Sequence, residues 1–216
     1  MFTDHERSIV RITVFGVTRG TGRHFLRLAL AEGHEVVAVA RRPEAVTEQH
    51  PNLSVRHGDV MDPATLDVKG ADAVVFLAGP SEGGPTRLYS RGGANVMDAM
   101  ADQDVRRFVA VTNALGDHPA HTTVQRLLTR VARSTALRHV HRDARIMELD
   151  VRTRDLDWTV IQPPRLTDEP ASGVYRTALN DGVAGGLSIS REDLAQYALA
   201  AVTSPETIRA TVGIGY

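Results

Sequence analysis

The stretch Ile9–Phe15 (IVRITVF) runs directly into Gly16-Val17-Thr18-Arg19-Gly20-Thr21-Gly22, and a helical segment then extends to Gly33. The apolar, β-branched run predicts a buried strand. Glycines after a strand allow a tight turn and let the backbone approach a pyrophosphate, which the N–H groups of the next helix then bind. Because the glycine pattern lies between a strand and a helix, it predicts a dinucleotide-binding loop rather than an ordinary turn.

Strands and helices alternate along the first half of the chain. The further elements predicted here are strands at Glu35–Ala40, Leu53–His57, Ala73–Leu77 and Arg107–Thr112, and a long helix from about Thr86 to Asp102. Regular alternation is typical of a parallel sheet with helices on both faces, because parallel neighbours need crossover connections. We therefore expect an α/β fold with a doubly wound parallel sheet.

The second half is less regular, and we expect it to form a small C-terminal region that covers the substrate. Asp157–Ile161 predicts a sixth strand, and Val174–Thr177 a short strand inside a mobile flap at residues 168–186. Ser190 with Asp193 three residues later predicts a capping-box start to the last helix. One face of an amphipathic helix is predicted from four apolar residues at helical spacing, Val124, Leu127, Leu128 and Val131.

Composition and length exclude several classes of function. The 216 residues include 25 Lys+Arg and 26 Asp+Glu, a net charge of −1 that disfavours general binding to nucleic acid or to an anionic membrane. The absence of Cys excludes thiolate metal sites and Cys nucleophiles. No apolar run approaches the roughly 18 residues of a membrane span.

We expect one cytoplasmic domain over residues 1–216, with a cofactor half at about 9–113 and substrate or flap elements at about 114–190. We expect a monomer or homodimer whose partner is a small-molecule substrate.

The residues after the second predicted strand indicate which dinucleotide the loop binds. An NAD site usually carries Asp or Glu there, to bind the ribose hydroxyls. This chain instead has Arg41-Arg42, with no carboxylate before Glu44. A guanidinium pairs with a 2′-phosphate that a carboxylate would repel, and Arg19 adds a further cation in the loop. We therefore expect NADP(H), the alternative being that these arginines are solvated surface residues.

Small and acidic residues follow the next two strands. Gly58-Asp59-Val60 can place a carboxylate and a backbone N–H at the edge of an adenine. Ala78-Gly79-Pro80 can form a floor of small residues under the nicotinamide ribose. Since both segments follow the carboxyl ends of strands, they are expected at the same edge of the sheet as the glycine loop.

These motifs together resemble the extended or atypical short-chain dehydrogenase/reductase superfamily. They are GVTRGTG from Gly16, VARRP from Val39, GDV from Gly58, FLAG from Phe76, VAVTNAL from Val109 and LDWTVIQPPRLTD from Leu156. Within that group, the chain is similar to the small NAD(P)H-binding branch of NmrA-like proteins and of the biliverdin reductase B or flavin reductase type. The resemblance covers about Ile9 to Ser204 and implies a Rossmann-type fold. The branch contains reductases, isomerases and proteins that bind the cofactor without turnover.

The glycine loop, the strand ends and the resemblance together give the set of expected cofactor contacts. They are Gly16, Thr18, Arg19, Gly20, Thr21, Gly22, Arg41, Arg42, Asp59, Val60, Ala78, Gly79, Thr112 and Pro163. The resemblance implies that the loop residues contact the phosphates and that Arg41 contacts the 2′-phosphate. It places Thr112, Asn113 and the segment Pro163–Arg165 near the nicotinamide. In the flavin-reductase type, Asn113 aligns with a serine and Arg165 with a histidine.

The Tyr–Lys pair that serves most short-chain dehydrogenases is absent. The only lysine, Lys69, does not follow any tyrosine by four residues. Three residues are the catalytic candidates. The resemblance places His141 near the family's helix residue that approaches the nicotinamide, as the candidate proton donor, and it implies that Asn113 lies beside the reacting ring. Arg165 could hold an anionic or carbonyl-bearing substrate. The loop after the fifth strand also supplies His118 and His121. The alternative for His141 is a surface or capping histidine.

No metal site is expected, because His139 and His141 have only Asp143 nearby and do not complete a ligand set.

The leading hypothesis is an NADPH-dependent oxidoreductase that reduces a conjugated or carbonyl-bearing small molecule. Two alternatives remain open. One is a non-catalytic NADP(H)-binding sensor or regulator of the NmrA type. The other is a redox-neutral isomerase or dehydratase.

Overall fold

Backbone hydrogen bonds join eight strands of the computed structural model into one sheet. The structure describes residues 9–80, 84–114, 120–134 and 137–216. The strands are β1 Arg11–Phe15, β2 Glu35–Ala40, β3 Leu53–His57, β4 Ala73–Phe76, β5 Arg107–Val111, β6 Asp157–Gln162, β7 Arg165–Thr167, β8 Arg176–Leu179, β9 Ser188–Ser190 and β10 Ala210–Gly215. The sheet has the order β3-β2-β1-β4-β5-β6-β10-β8, and β7 pairs separately with β9.

Seven neighbouring strands of the sheet are parallel, and only β8 is antiparallel, to β10. The order reverses between β1 and β4, because the chain first winds outward through β2 and β3 and then returns to the other side of β1. Such a reversal opens a crevice at the carboxyl ends of the strands, where α/β folds bind ligands. The expected α/β fold with a doubly wound, Rossmann-type sheet is therefore confirmed.

Helices cover both faces of the sheet. They are α1 Gly20–Ala31, α2 Gly93–Asp102, α3 Thr123–Ser134, α4 Leu137–Val151 and α5 Arg191–Val202. One apolar core lies between the sheet and α1 with α5, and it includes Phe25, Leu26 and Leu194. The other lies between the sheet and α2 with α4, and it includes Met97, Phe108 and Met147. None of the helices in the described ranges is long and apolar enough to cross a bilayer.

Three elements differ from their predicted form. The helix expected from Thr86 begins as a π-helical turn at Leu88–Gly92 and continues as α2. The strand expected within the flap is β8, which extends the main sheet by pairing with β10, so part of the flap is an edge of that sheet. The capping box at the start of α5 is only half formed. Ser190 Oγ accepts the N–H of Asp193, whereas the N–H of Ser190 donates to the hydroxyl of Tyr216.

Helix α3 turns its apolar face outward. Val124, Leu127, Leu128 and Val131 are 52–61% exposed. The buried residues of α3 include Gln125 and Thr129. Gln125 Nε2 donates to the carbonyls of Val183 and Gly186, and its Oε1 accepts the N–H of Gly185. The inner face of α3 is polar because it satisfies the backbone of a loop rather than packing against a core.

Candidate cofactor cleft and active site

A cleft of about 700 Å³ opens at the carboxyl ends of the central strands. Its lining includes most of the expected cofactor contacts: Gly16, Thr18, Arg19, Gly20, Thr21, Arg41, Arg42, Asp59, Val60, Ala78, Gly79 and Thr112. Leu88, Tyr89, Leu166, Asp168 and Arg191 also line it, although the sequence did not single them out for cofactor binding. Gly22 and Pro163 are not part of this lining.

Two glycines of the loop lie where a side chain would not fit. Gly16 has φ +94°, and a Cβ built on it would lie 2.4 Å from the backbone nitrogen of Ala78. A Cβ on Gly22 would lie 2.0 Å from the carbonyl oxygen of Gly16. Gly22 therefore acts beneath the loop, where it lets the first turn of α1 pack against the backbone of Gly16 and Val17, rather than at the cleft surface.

The start of α1 has features that fit a bound pyrophosphate. The hydroxyl of Thr21 is buried and has no hydrogen-bond partner among the described residues. Such an unmet donor is costly unless a ligand satisfies it. The first N–H groups of a helix also favour an anion. The glycine cradle, the Thr21 hydroxyl and the volume of the cleft therefore fit a dinucleotide.

Arg191, the first residue of α5, reaches the same loop from the other end of the chain. A Cβ built on Gly20 would lie 3.3 Å from Arg191 Nε. Arg191 also forms a 2.8 Å ion pair with Asp168, and both residues line the cleft although they are far in sequence from Arg41 and Arg42. No sequence signal near Arg191 indicates this position, because the packing of α5 against α1 creates it.

The two arginines after β2 are exposed, and both line the cleft. Neither side chain makes an ion pair or a hydrogen bond with any residue in the described ranges. Arg19 is placed differently, since it donates to the carbonyl of Gly79 at 3.4 Å and so bridges the glycine loop to the loop after β4. Arg41 and Arg42 are therefore the guanidinium groups best placed to receive a further anion at this end of the cleft.

The segment after β3 is held by local contacts. Asp59 Oδ1 accepts the N–H of Met61, and the N–H of Asp59 donates to Thr65 Oγ1, both at 2.9 Å. Asn95 donates to the carbonyl of Val60 at 2.8 Å. These contacts fix the Asp59 carboxylate and the backbone of Val60 at the cleft wall, where the sequence predicts the adenine.

A buried carboxylate supports the other end of the cleft. Glu148 of α4 is 2% exposed. Its Oε1 accepts from Thr112 Oγ1 at 2.7 Å and from Gln162 Nε2 at 2.9 Å, and its Oε2 accepts from Arg145 at 2.8 Å. Glu148 thus connects α4 to the ends of β5 and β6. Nothing in the sequence around Glu148 indicates this role, although the residue lies two helical turns after His141.

Two of the three catalytic candidates lie together. His141 Nδ1 is 3.3 Å from Oδ1 of Asn113. Asn113 follows the cleft residue Thr112 in the chain. Arg165 is exposed at the start of β7, and within the described part of the chain it makes no side-chain hydrogen bond to either. His121 is buried just before α3, and His118 lies outside the described residues.

A tyrosine does line the cleft, but its environment opposes proton transfer. Burial of Tyr89, together with the nearby negative charges of Asp143 and Glu148, raises the pKa of its phenol to about 12. A proton donor works best with a pKa near the working pH, so Tyr89 is poorly suited to replace the missing catalytic tyrosine.

Comparison with known proteins gives a consistent family. The family model described as NAD(P)H-binding matches residues 16–205. The UPF0659 protein C216.03 of Schizosaccharomyces pombe is 28% identical, with 93% of this chain and 89% of the relative covered.

Two solved structures share the fold. A wide-type short-chain dehydrogenase/reductase from Veillonella parvula in complex with NADP is 17% identical with a TM-score of 0.77, covering 97% of this chain and 95% of the other. ChuY, an anaerobillin reductase from Escherichia coli O157:H7, is 22% identical with a TM-score of 0.76, covering 94% and 96%. The expected likeness to the NAD(P)H-binding branch is confirmed. Since the family model spans most of the sequence, this chain belongs to the NAD(P)H-binding family.

Proposed function

We propose that this protein is an NADPH-dependent reductase of a small molecule that carries a carbonyl group or a conjugated double bond. The observation that carries the proposal is the 3.3 Å pairing of His141 with Asn113, directly after Thr112 of the cofactor cleft. Neither His141 nor Asn113 is part of the cleft lining, but Asn113 follows a lining residue, and a titratable ring near the nicotinamide is what proton transfer coupled to hydride transfer requires. The structural likeness to an anaerobillin reductase supports the same class of reaction.

The proposed preference for NADPH over NADH rests on Arg41 and Arg42. Both lie at the cleft rim after β2, and no acidic side chain among the described residues pairs with them. A 2′-phosphate would supply the missing anion and could accept two parallel N–H bonds from one guanidinium. The NADP complex of a structural neighbour is consistent with this choice.

The chain's residues would hold the cofactor and move the proton. Bound NADPH would supply a hydride to the electron-poor carbon of the substrate. His141 donates from Nδ1 to Asn113 Oδ1, so the neutral ring carries its lone pair on Nε2. The imidazolium therefore releases its proton from Nε2, to the substrate atom on which negative charge accumulates. Asn113 positions the ring, and Glu148 holds Thr112, the residue before Asn113 in the chain.

The test follows NADPH oxidation by absorbance with a panel of quinones, enones, aldehydes and flavins. For an active substrate, His141→Gln should lower kcat by about 100-fold or more, as expected for loss of a general acid, with NADPH affinity unchanged. The matched control is His139→Gln on the same helix, which should retain activity. The kcat of the wild-type enzyme should fall as pH rises through the range where histidine loses its proton.

Other outcomes would contradict the proposal. Tight NADPH binding without oxidation by any compound of the panel would favour a cofactor-binding regulator. Product formation without net NADPH loss would favour an isomerase or dehydratase. Equal losses in His141→Gln and His139→Gln would remove His141 as the proton donor.

A further inference from the structure

A second cleft of about 710 Å³ lies on the opposite side of the π-helical turn from the cofactor cleft. Leu88 and Tyr89 of this turn line the cofactor cleft. Arg87, which precedes the turn, and Ser90 and Arg91 within it line the second cleft. The other wall is α4. We call this space the arginine cleft, because Arg87, Arg91 and Arg142 all line it.

The arginine cleft has an excess of positive charge. Arg87 and Arg91 lie one helical turn apart, because the backbone N–H of Arg91 donates to the carbonyl of Arg87 at 2.8 Å. Arg142 faces them from α4. None of the three side chains forms an ion pair or a hydrogen bond with any residue that the structure describes. All three side chains are exposed, so a bound anion could reach each of them and would supply the counter-charge.

The one carboxylate of the lining, Asp143, is already occupied by the turn. Its oxygens accept the N–H groups of Tyr89 at 2.8 Å and Ser90 at 3.1 Å, and it also accepts the hydroxyl of Ser90. Asp143 is 3% exposed. It therefore caps the π-helical turn and does not form an ion pair with the arginines.

Several arginines outside the two clefts pair with carboxylates, whereas others, such as Arg130 and Arg165, make no ion pair or side-chain hydrogen bond within the described ranges. Arg56 pairs with Asp67 at 2.7 Å, and Arg106 with Asp155 at 2.8 Å. The unpaired groups at the cofactor cleft, Arg41 and Arg42, lie where a phosphate is expected. Like Arg41 and Arg42, the three arginines of the arginine cleft line a cleft and have no partner in the described ranges.

We propose that the arginine cleft binds a small polyanion, a molecule with at least two carboxylate or phosphate groups. Guanidinium groups bind both chemistries through paired N–H bonds. The volume is typical of small-molecule sites and exceeds the need of one inorganic anion. The site is separate from the proposed catalytic centre, because His139 lines it whereas His141, two positions along α4, contacts Asn113. The proposal does not depend on the proposed reductase activity.

Calorimetric titration at low ionic strength tests it, with citrate and pyrophosphate as probes and acetate as the monovalent control. Citrate or pyrophosphate should bind and acetate should not, and the stronger of the two probes identifies carboxylate or phosphate as the preferred group. Arg87→Gln and Arg142→Gln should each weaken binding about tenfold or more, because each removes a charge-assisted contact. Added salt should weaken binding as well.

Pyrophosphate is titrated with saturating NADPH present, which keeps it out of the glycine loop, and citrate is titrated with and without NADPH. The control variant is Arg130→Gln on α3, which should leave the affinity for both probes unchanged, as saturating NADPH should for citrate. The proposal is overturned if neither probe binds in the millimolar range, or if the affinity is the same in folded Arg87→Gln and Arg142→Gln. It is also overturned if neither probe binds while NADPH is present, since they would then occupy the cofactor cleft. Thermal unfolding of each variant verifies that it is folded.

Discussion

The side chains of Thr112 and Glu148 meet at the end of β5, with 2.7 Å between Oγ1 and Oε1. Thr112 lines the cofactor cleft, and Glu148 is buried among Thr112, Gln162 and Arg145. A carboxylate that accepts three bonds in the interior holds β5, β6 and α4 in one arrangement. The floor of the cleft therefore depends on a residue that itself does not line it.

Glu148→Gln tests this dependence. The amide keeps the size of the side chain but replaces one acceptor oxygen by a donor, so one of the three partners loses its bond. We expect the free energy of unfolding to fall by about 1–3 kcal/mol. NADPH affinity should fall as well, because the neutral amide is a weaker acceptor than the carboxylate for the hydroxyl of Thr112. Urea denaturation and cofactor titration measure both effects. Asp150→Asn, a half-exposed carboxylate on the same helix, is the control, and equal behaviour of the two variants would refute the role of Glu148.

Arg41→Gln tests the choice of cofactor. If Arg41 binds the 2′-phosphate, its loss should weaken NADPH about tenfold or more and leave NADH affinity nearly unchanged, because NADH lacks that group. Fluorescence titration with both reduced cofactors gives the two affinities. Arg130→Gln on α3 is the control for a general change in charge. Equal weakening of NADPH and NADH would show that Arg41 does not recognise the 2′-phosphate.

Arg191→Gln should give a different pattern. Arg191 lies beside Gly20 of the glycine loop, where a pyrophosphate common to NADPH and NADH is expected. Its loss should weaken both cofactors by a similar factor, about threefold to tenfold after allowance for its exposure to solvent. The same titrations measure it, with Asp168→Asn as control for the ion pair alone. A selective loss of NADPH affinity would instead assign Arg191 to the 2′-phosphate.

Local sequence was sufficient for the cofactor half of the fold. The strand at Glu35–Ala40 has the predicted bounds, because an apolar, β-branched run bounded by turns specifies it. The strand at Leu53–His57 also has the predicted bounds, although its sequence LSVRH is mostly polar. The glycine loop was also predictable, since its residues are contiguous. Arg191 and Glu148 were not, because tertiary packing brings them to the site from distant parts of the chain.

Strand β10 shows why other elements were missed. Its sequence ATVGIG contains two glycines, which lower the strand signal. A Cβ on Gly213 would lie 2.4 Å from the carbonyl oxygen of Asp181, so glycine is needed where another loop crosses the strand. From the sequence alone, Gly213 only weakens the prediction of a strand. The close approach of Asp181, which requires a glycine there, is visible only in the fold.

The outward face of α3 gives a stability prediction. Leu127 is 61% exposed, whereas Leu194 of α5 is fully buried. Leu127→Gln should therefore change the free energy of unfolding by no more than about 0.5 kcal/mol. Leu194→Ala should cost about 2–5 kcal/mol, because it leaves a cavity between α5 and the sheet. Urea denaturation compares them. A large loss in Leu127→Gln would mean that this face is buried in solution.

Asp193 gives the pH prediction. Its carboxylate is buried and accepts from the N–H groups of Ser172 and Gly173 at 2.9 Å, and from the hydroxyl of Tyr216 at 2.6 Å. Burial alone would raise its pKa, but the hydrogen bonds from Tyr216, Ser172 and Gly173 outweigh burial and hold the pKa below its usual value. A lowered pKa in the folded state stabilises the fold above the unfolded pKa, about 3.9 for Asp, and that contribution is lost as pH falls through the folded value.

Asp193→Asn should therefore lower the free energy of unfolding by about 1–3 kcal/mol at pH 7, where the carboxylate accepts all its bonds. The difference between wild type and variant should shrink below about pH 4, because the wild-type carboxyl then becomes protonated too. Urea denaturation at pH 7 and below pH 4 measures the difference in the free energy of unfolding. The rate of hydrogen exchange at the amides of Ser172 and Gly173 should rise in the variant. Asp168→Asn, which changes an exposed carboxylate, should show neither effect. A pH-independent difference would show that Asp193 acts by shape rather than by charge.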